Sequence, residues 1–282
     1  MSVDVTIKSK GIFKKNLTIR NVKMGNMRFG ILDEAFRLAE NEQGDYMVIF
    51  QTKQICRGYE IHFERGEVDL RLPVPTSGED IRFFYKFIKH ICNLMGTKTF
   101  EYNGEKNTFN DIDSCIEDDT ALNKKVFSEL ILDKVNNDPE ESIYIFGAIH
   151  PISIGKREID KINGDIEQFG KMMHELQTFD AYYPKPIIGC HNDNSYFGTY
   201  ALTENVVSIF PFVPSIIMNE NEDIKEWYVS FLISKKIAGS IPYEKFIENV
   251  NKDDIYDTGH FIITMDSSEM QKLIDEYGVE LK

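Results

Sequence analysis

Cysteine is scarce in this chain of 282 residues: Cys56, Cys92, Cys115 and Cys190 are the only four, and no two form a C-x-x-C pair. A disulfide framework would be denser and a zinc site would show paired ligands, so reduced and mostly buried thiols are expected. Tryptophan is scarcer still, with Trp227 alone. Long apolar runs are missing too: "VVSIFPFVPSIIM" is too short and too proline-broken for a membrane span, so no membrane is expected. "MSVDVTIKSK" at the start has no apolar h-region, which predicts no signal peptide and a cytoplasmic location, where the sequon Asn16-Leu17-Thr18 goes unused.

Positive charge is in deficit, with 32 Lys+Arg against 46 Asp+Glu and a net −14. The deficit is uneven: residues 1–137 hold 20 against 21, residues 138–282 hold 12 against 25. Such a balance argues against nucleic acid and admits a basic protein as partner. Residues 1–30 reverse the trend, seven basic to one acidic, and read as a solvated strand edge guarded by lysines.

Phosphate and nucleophile motifs are absent as well. There is no G-x-x-x-x-G-K-[ST], no G-x-G-x-x-G after a strand, no kinase signature and no G-x-S-x-G elbow, so no cofactor is expected. His62, His90, His150, His174, His191 and His260 are scattered, with no i, i+4 pair, and no metal is expected. The acidic run Asp111, Asp113, Glu117, Asp119 lacks the glycine and glutamate of a calcium loop, having Ile116 and Leu122 there, and reads as a solvated helix start.

What remains is an ordinary globular composition, 42% hydrophobic and 28% charged. Val3, Val5 and Ile7 alternate as a strand, and "NLTIRNV" repeats the pattern. Leu32, Ala35, Phe36 and Ala39 fall on one helical stripe, predicting a helix over about 31–42. "DYMVIFQT", "GYEIHFE" and "EVDLRLPV" read as strands, the last two joined at Arg65-Gly66. Ser77 reads as the N-cap of a helix closed by Gly96, with a strand "KTFEYNG" after it. Two helices are expected over 107–137, a polar break at "NNDPEE", a strand and turn over 142–155, and one long helix over roughly 157–177. "YFGTYALTE" and "NVVSIFPF" read as a hairpin, "IKEWYVSFLIS" as a buried strand, then a helix near 242–250, a strand "GHFIITM" and a helix capped at Asp266.

The elements do not alternate as βαβ units, so the fold class is α+β, mainly antiparallel sheets with packed helices. An echo between "GEVDLRLPVP" and "ENVVSIFPFVP", each followed by "EDI", would make two related β-rich units, though proline-ended strands recur by chance. The expected divisions are an N-terminal α+β domain 1–104, a helical connector 105–141 and an acidic C-terminal α+β domain 142–282. Together, "RGYEIHFERGEVDLRLPVPTSGEDIRFFYKFIKHICNLMGTKTFEYNG", "FGTYALTENVVSIFPFVPSI" and "IKEWYVSFLI" resemble a family of proteins of unknown function, near this length, from Gram-positive bacteria. The resemblance implies a bacterial cytoplasmic origin and brings no activity with it.

The richest cluster of reactive types is "PIIGCHNDNSYFGTY". Cys190 would be the nucleophile of a hydrolase or transferase, with His191, His150 or His174 as base and Asp193 orienting it. Neighbours in extended backbone point to opposite faces, so Cys190 and His191 make a poor dyad, and "HNDNS" has the composition of a polar turn. Tyr182 and Tyr183, with the carboxylates Glu220, Glu222 and Asp223, read as a contact surface. The function expected is therefore a non-enzymatic interaction or adaptor protein that binds a basic partner, the enzyme around Cys190 being the alternative.

Overall fold

The structure, a computed structural model, describes residues 1–10, 15–132, 142–216 and 224–281, the side chains of 130–132 excepted. The polar break at 136–141 and the carboxylates Glu220, Glu222 and Asp223 lie outside the described residues. The chain forms two compact units, Met1–Thr178 and Phe179–Lys282, and the class is α+β with mainly antiparallel sheets.

Unit 1 holds β1 (Ser2–Lys8), β2 (Met27–Leu32), β3 (Leu38–Glu40), β4 (Met47–Gln51), β5 (Tyr59–Glu64), β6 (Glu67–Pro73), β7 (Thr99–Tyr102) and β8 (Glu105–Thr108). They form one antiparallel sheet in the order β3-β2-β4-β5-β6-β1-β7-β8. Its helices are α1 (Ile19–Val22), α2 (Gly78–Met95), α3 (Ile112–Val126), α4 (Lys156–Ile162) and α5 (Ile166–Gln177), and β9 (Ile143–Phe146) with β10 (Pro151–Ile154) makes a separate pair. As expected, the Ser77 hydroxyl accepts from the Asp80 N–H, 3.1 Å, and Gly96 closes α2 at φ 71°. The helix buries Ile81, Phe84, Ile88, Ile91 and Met95 in one core with Val3, Val5, Ile61, Leu70 and Leu72 of the sheet. Each fully buried large side chain there contributes about 1.5–3 kcal/mol.

Several local expectations are overturned. Residues 31–42 are not a helix but the end of β2, a turn and β3: Asp33 accepts from the N–H groups of Ala35 and Arg37 and pairs with the Arg37 guanidinium at 2.8 Å, fixing the turn. "NLTIRNV" holds the short helix α1 instead of a strand. The basic N-terminal strand is no edge, because β1 pairs with β6 and β7 on either side and Lys8 reaches Glu101 at 2.9 Å. The long helix over 157–177 is broken at Asn163 and Gly164, both at positive φ. Residues 109–132 run through a 3-10 turn into one continuous helical stretch instead of two helices.

The divisions expected at 104 and 141 both fall inside unit 1. β8 completes the sheet beside β7, and α3 buries Ile112, Cys115 and Val126 in the same core. Residues 142–178 are tied back to the first hundred by Ala148 N–H to Cys56 O, 3.0 Å, Leu38 N–H to Ile149 O, 2.7 Å, and Gln177 Nε2 to Cys56 O, 2.6 Å.

Unit 2 holds β11 (Ile187–Cys190), β12 (Tyr196–Thr203), β13 (Ser208–Pro211), β14 (Glu226–Ile233), β15 (Lys236–Pro242), β16 (Ile255–Asp257) and β17 (His260–Ile263), with α6 (Tyr243–Asn249) and α7 (Ser267–Tyr277). Among the described residues these strands form two sheets, β11-β12-β14-β15 and β13-β17-β16. The expected hairpin of "YFGTYALTE" with "NVVSIFPF" does not form. β12 instead pairs in parallel with β14 while β13 joins β17 in the other sheet. Phe246 of α6 joins the two sheets, its ring 5.3 Å from Phe210, 6.3 Å from Phe231 and 6.4 Å from Phe261.

Candidate functional site

β14 starts on a Glu-Trp-Tyr run whose first half stays near solvent while Val229, Ser230 and Phe231 are buried. Trp227 lies opposite Gly198 in the parallel ladder and stacks on Tyr200, ring centres 5.8 Å apart. A Cβ at Gly198 would sit 2.2 Å from the indole, so glycine is what lets the ring lie over β12. Tyr228 donates its hydroxyl to Glu226 at 2.5 Å. From α6, spacing of four places Tyr243 with Ile247 and Glu244 with Glu248 in two adjacent rows. Tyr243 is anchored by its hydroxyl to Pro211 O, 2.6 Å.

Between these elements and Phe212, Val213 and Pro214 lies an open cleft of about 550 Å³, within the range of ligand sites. Trp227, Phe212, Tyr243 and Ile247 supply its buried and half-buried wall, while Glu226, Glu244 and Glu248 are exposed around it with Lys225. Lys245 offsets part of this charge by pairing with Glu248 at 2.7 Å. Unit 2 as a whole carries 8 Lys+Arg against 17 Asp+Glu. An aromatic wall with a carboxylate rim has the chemistry of a site for a cation: the ring faces attract positive charge and the rim steers it in.

The residues expected at a catalytic site are divided between the two units. Cys190 ends β11 on the surface, its thiol directed at the His191 carbonyl oxygen, 3.4 Å away. Residues 191–195 close the β11–β12 hairpin, with His191 N–H to Ser195 O at 2.8 Å and Asn194 N–H to His191 O at 3.0 Å. Asp193 fastens the same turn. It accepts from the Ser195 hydroxyl at 2.7 Å and the Ser195 N–H at 3.0 Å, and those bonds hold its carboxyl below the usual range. His191 packs on Phe197 and brings Nε2 within 3.3 Å of Glu226, at ion-pair distance without hydrogen-bond geometry. His150 and His174 belong to unit 1, where His150 Nδ1 lies 3.0 Å from Pro151 O and His174 Nδ1 accepts from the Ile55 N–H at 3.0 Å. Of the expected contact surface, Tyr182 is 45% exposed and Tyr183 is half-buried, its hydroxyl 3.1 Å from His260 Nε2. Among the described residues no group of three or more His, Cys, Asp or Glu is placed to hold a metal, and no helix is long and apolar enough to cross a membrane.

A family model described as Domain of unknown function (DUF4299) matches residues 2–273. The chain belongs to this family. No curated protein and no solved structure matches it. The match takes in nearly all of both units, cleft and hairpin included, and agrees with the resemblance to a family without an assigned activity.

The acidic run is a helix start with Asp113 and Glu117 exposed, as expected, but its last member is not solvated. Asp119 is fully buried between the hydroxyls of Tyr85, 2.6 Å, and Tyr102, 2.7 Å. Trp227, Phe212 and the three glutamates went unrecognised, because "IKEWYVSFLIS" reads as a buried strand throughout. The available signal was a lone tryptophan directly after a glutamate at that strand's start.

Proposed function

We propose that this protein is a non-enzymatic binding protein whose second unit captures a positively charged partner, with a lysine or arginine side chain seated against Trp227. The observation that carries the reading is the cleft of about 550 Å³ with aromatic walls and Glu226, Glu244 and Glu248 at its rim. The unit's 8-to-17 charge balance supports it, since a long-range negative field accelerates the approach of a basic protein. A guanidinium or ammonium over an aromatic face gains about 0.5–2 kcal/mol, and the rim carboxylates add a salt-sensitive part.

Calorimetric titration of the full chain with hexa-arginine, against hexaglutamate as control, tests this. Saturable heat with the cationic peptide that weakens steeply as salt is raised is the expected result. Equal behaviour of the two peptides, or binding indifferent to salt, would overturn the reading.

A further inference from the structure

The outer strands of unit 2's sheets are finished in different ways. At β15 the chain's own C-terminal segment adds on, Val279 N–H donating to Ser240 O at 2.8 Å. At β13 the segment around Tyr182 does the same: its N–H donates to Val207 O at 2.8 Å and its carbonyl accepts from the Ile209 N–H at 2.9 Å. β16 is three residues long and its register shifts against β17. Covering segments, short strands and irregular register are guards against stray pairing. β11 is the outer strand beside β12, and among the described residues no segment pairs with its other side. Its sequence, "IIGC", carries no charge either.

The phase of the β11–β12 hairpin fixes which main-chain groups of β11 are available. His191 N–H donates to Ser195 O at 2.8 Å, so these two residues face each other as a bonded pair. Pairs along an antiparallel ladder alternate between bonded and non-bonded. Going back from the turn, Cys190 lies opposite Tyr196, Gly189 opposite Phe197, Ile188 opposite Gly198 and Ile187 opposite Thr199. Gly189 and Ile187 are therefore bonded to β12, while Ile188 and Cys190 turn their N–H and C=O groups outward, about 6.6 Å apart along the strand. Ile187, 53% exposed, gives this edge an apolar step on the opposite face from Ile188.

A short uncharged strand is also an ordinary way to end a sheet, and four residues limit what can pair there. What sets β11 apart is the contrast with β13 and β15, which the same unit closes with its own chain. We propose that an extended segment of the basic partner adds to unit 2 as a further strand along β11, bonded through its main chain to Ile188 and Cys190. This rests on the reading of the unit as a binder of basic partners, but uses a sheet edge and not the Trp227 cleft. Charge chooses the occupant. With 8 Lys+Arg against 17 Asp+Glu in the unit, a second copy of the chain is repelled and a lysine- or arginine-bearing strand is drawn in. Alternating basic and apolar residues suit it, one face meeting Ile187 and the other left to solvent.

The probe is Arg-Val-Arg-Val-Arg-Val blocked at both ends, beside the same peptide N-methylated throughout, which keeps its charge and side chains but has no N–H to donate. Both are titrated calorimetrically into the full chain, and amide hydrogen exchange is followed by NMR at residues 187–191. At a tenfold excess over its Kd the unmodified peptide should slow exchange at Ile188 and Cys190 by roughly tenfold, with Gly189 and His191, already bonded to β12, little changed. The methylated peptide should bind about tenfold more weakly or worse. Unmodified peptide that leaves Ile188 and Cys190 unprotected overturns the proposal, as does equal binding of the two peptides. Salt-sensitive heat from hexa-arginine in the same preparation then shows separately whether capture of basic partners stands. Protection at 188 and 190 that grows with protein concentration in the absence of peptide makes a second copy the occupant and also overturns it.

Discussion

Both units bury aspartates, and they put them to different ends. In unit 1, Asp80 accepts from Arg57 N–H, Gly58 N–H and the Thr76 hydroxyl, at 2.9, 3.0 and 2.7 Å. Asp119 is shared between two tyrosine hydroxyls, and Asn123 ties its backbone carbonyl to the Thr76 N–H. Burial raises both carboxyls above their ordinary value, only partly offset by these donors. The bonds begin and end inside the unit, holding the 56–58 turn, the start of α2 and α3 together. In unit 2, Asp257 instead meets an imidazole, His260 Nδ1 at 2.7 Å, whose Nε2 lies 3.1 Å from the Tyr183 hydroxyl, and the exposed carboxylates gather around an aromatic cleft. The lesson is that burial of a charged group says little until one sees where its hydrogen bonds lead.

The largest effects should come from unit 1. Asp80→Ala strips the acceptor from three buried donors, at about 1–3 kcal/mol each, and should abolish or severely weaken unit 1's unfolding transition in urea. Asp119→Ala orphans two hydroxyls and should cost roughly 2–6 kcal/mol on the same scale. A loss below about 1 kcal/mol in either would erase the contrast between the units. On the other side, reversing two rim charges in Glu244→Lys/Glu248→Lys should weaken calorimetric binding of hexa-arginine by about tenfold or more, equal to about 1.4 kcal/mol, with stability nearly unchanged. Cys190→Ser should move stability by less than about 0.5 kcal/mol and leave binding as it was, because Cys190 only ends a strand on the surface.

A further small effect sharpens the comparison through pH. Burial would raise the Asp33 carboxyl, but the backbone N–H and guanidinium of Arg37 outweigh it and hold it low. Its folded pKa thus lies below the unfolded value of about 3.9, so its contribution is complete above that value and is lost as pH falls through the folded one. The sign for Asp80 and Asp119 is opposite: their folded pKa is raised, so they favour folding most below the unfolded value and the gain is lost as pH rises through the folded one. Asp33→Ala should therefore reduce stability near neutrality, by under about 1 kcal/mol, and the difference from wild type should vanish in strong acid. A difference that widened on acidification would show the sign to be wrong.

Much of unit 1 could be read from residues alone, for local reasons. Ser77, Glu79, Asp80 and Gly96 announce the ends of α2, and β5 and β6 keep their period of two. Local signals mislead where a short-range bond competes with periodicity. The Asp33 turn mimics a helical stripe in 31–42, and Asn163-Gly164, a dipeptide suited to positive φ, interrupts what reads as a continuous helix. Other features had no local signal. The parallel pairing of β12 with β14 joins Phe197 to Glu226 across a long connection, and no alternation within either strand reports it. The cleft depends on that pairing, since it places Trp227 over Gly198, so its parts were visible but their meeting was not. The same holds for Tyr183 and His260, 77 positions apart in the chain.

Because the chain has a single tryptophan, its emission reports on the cleft wall and nothing else. Titrating hexa-arginine while following Trp227 fluorescence is thus the most direct measurement of cation capture at this place. The account predicts a saturable change at low ionic strength, suppressed by added salt and lost or much weakened in Glu244→Lys/Glu248→Lys. An emission that never responds, or that responds alike in wild type and double variant, would contradict it.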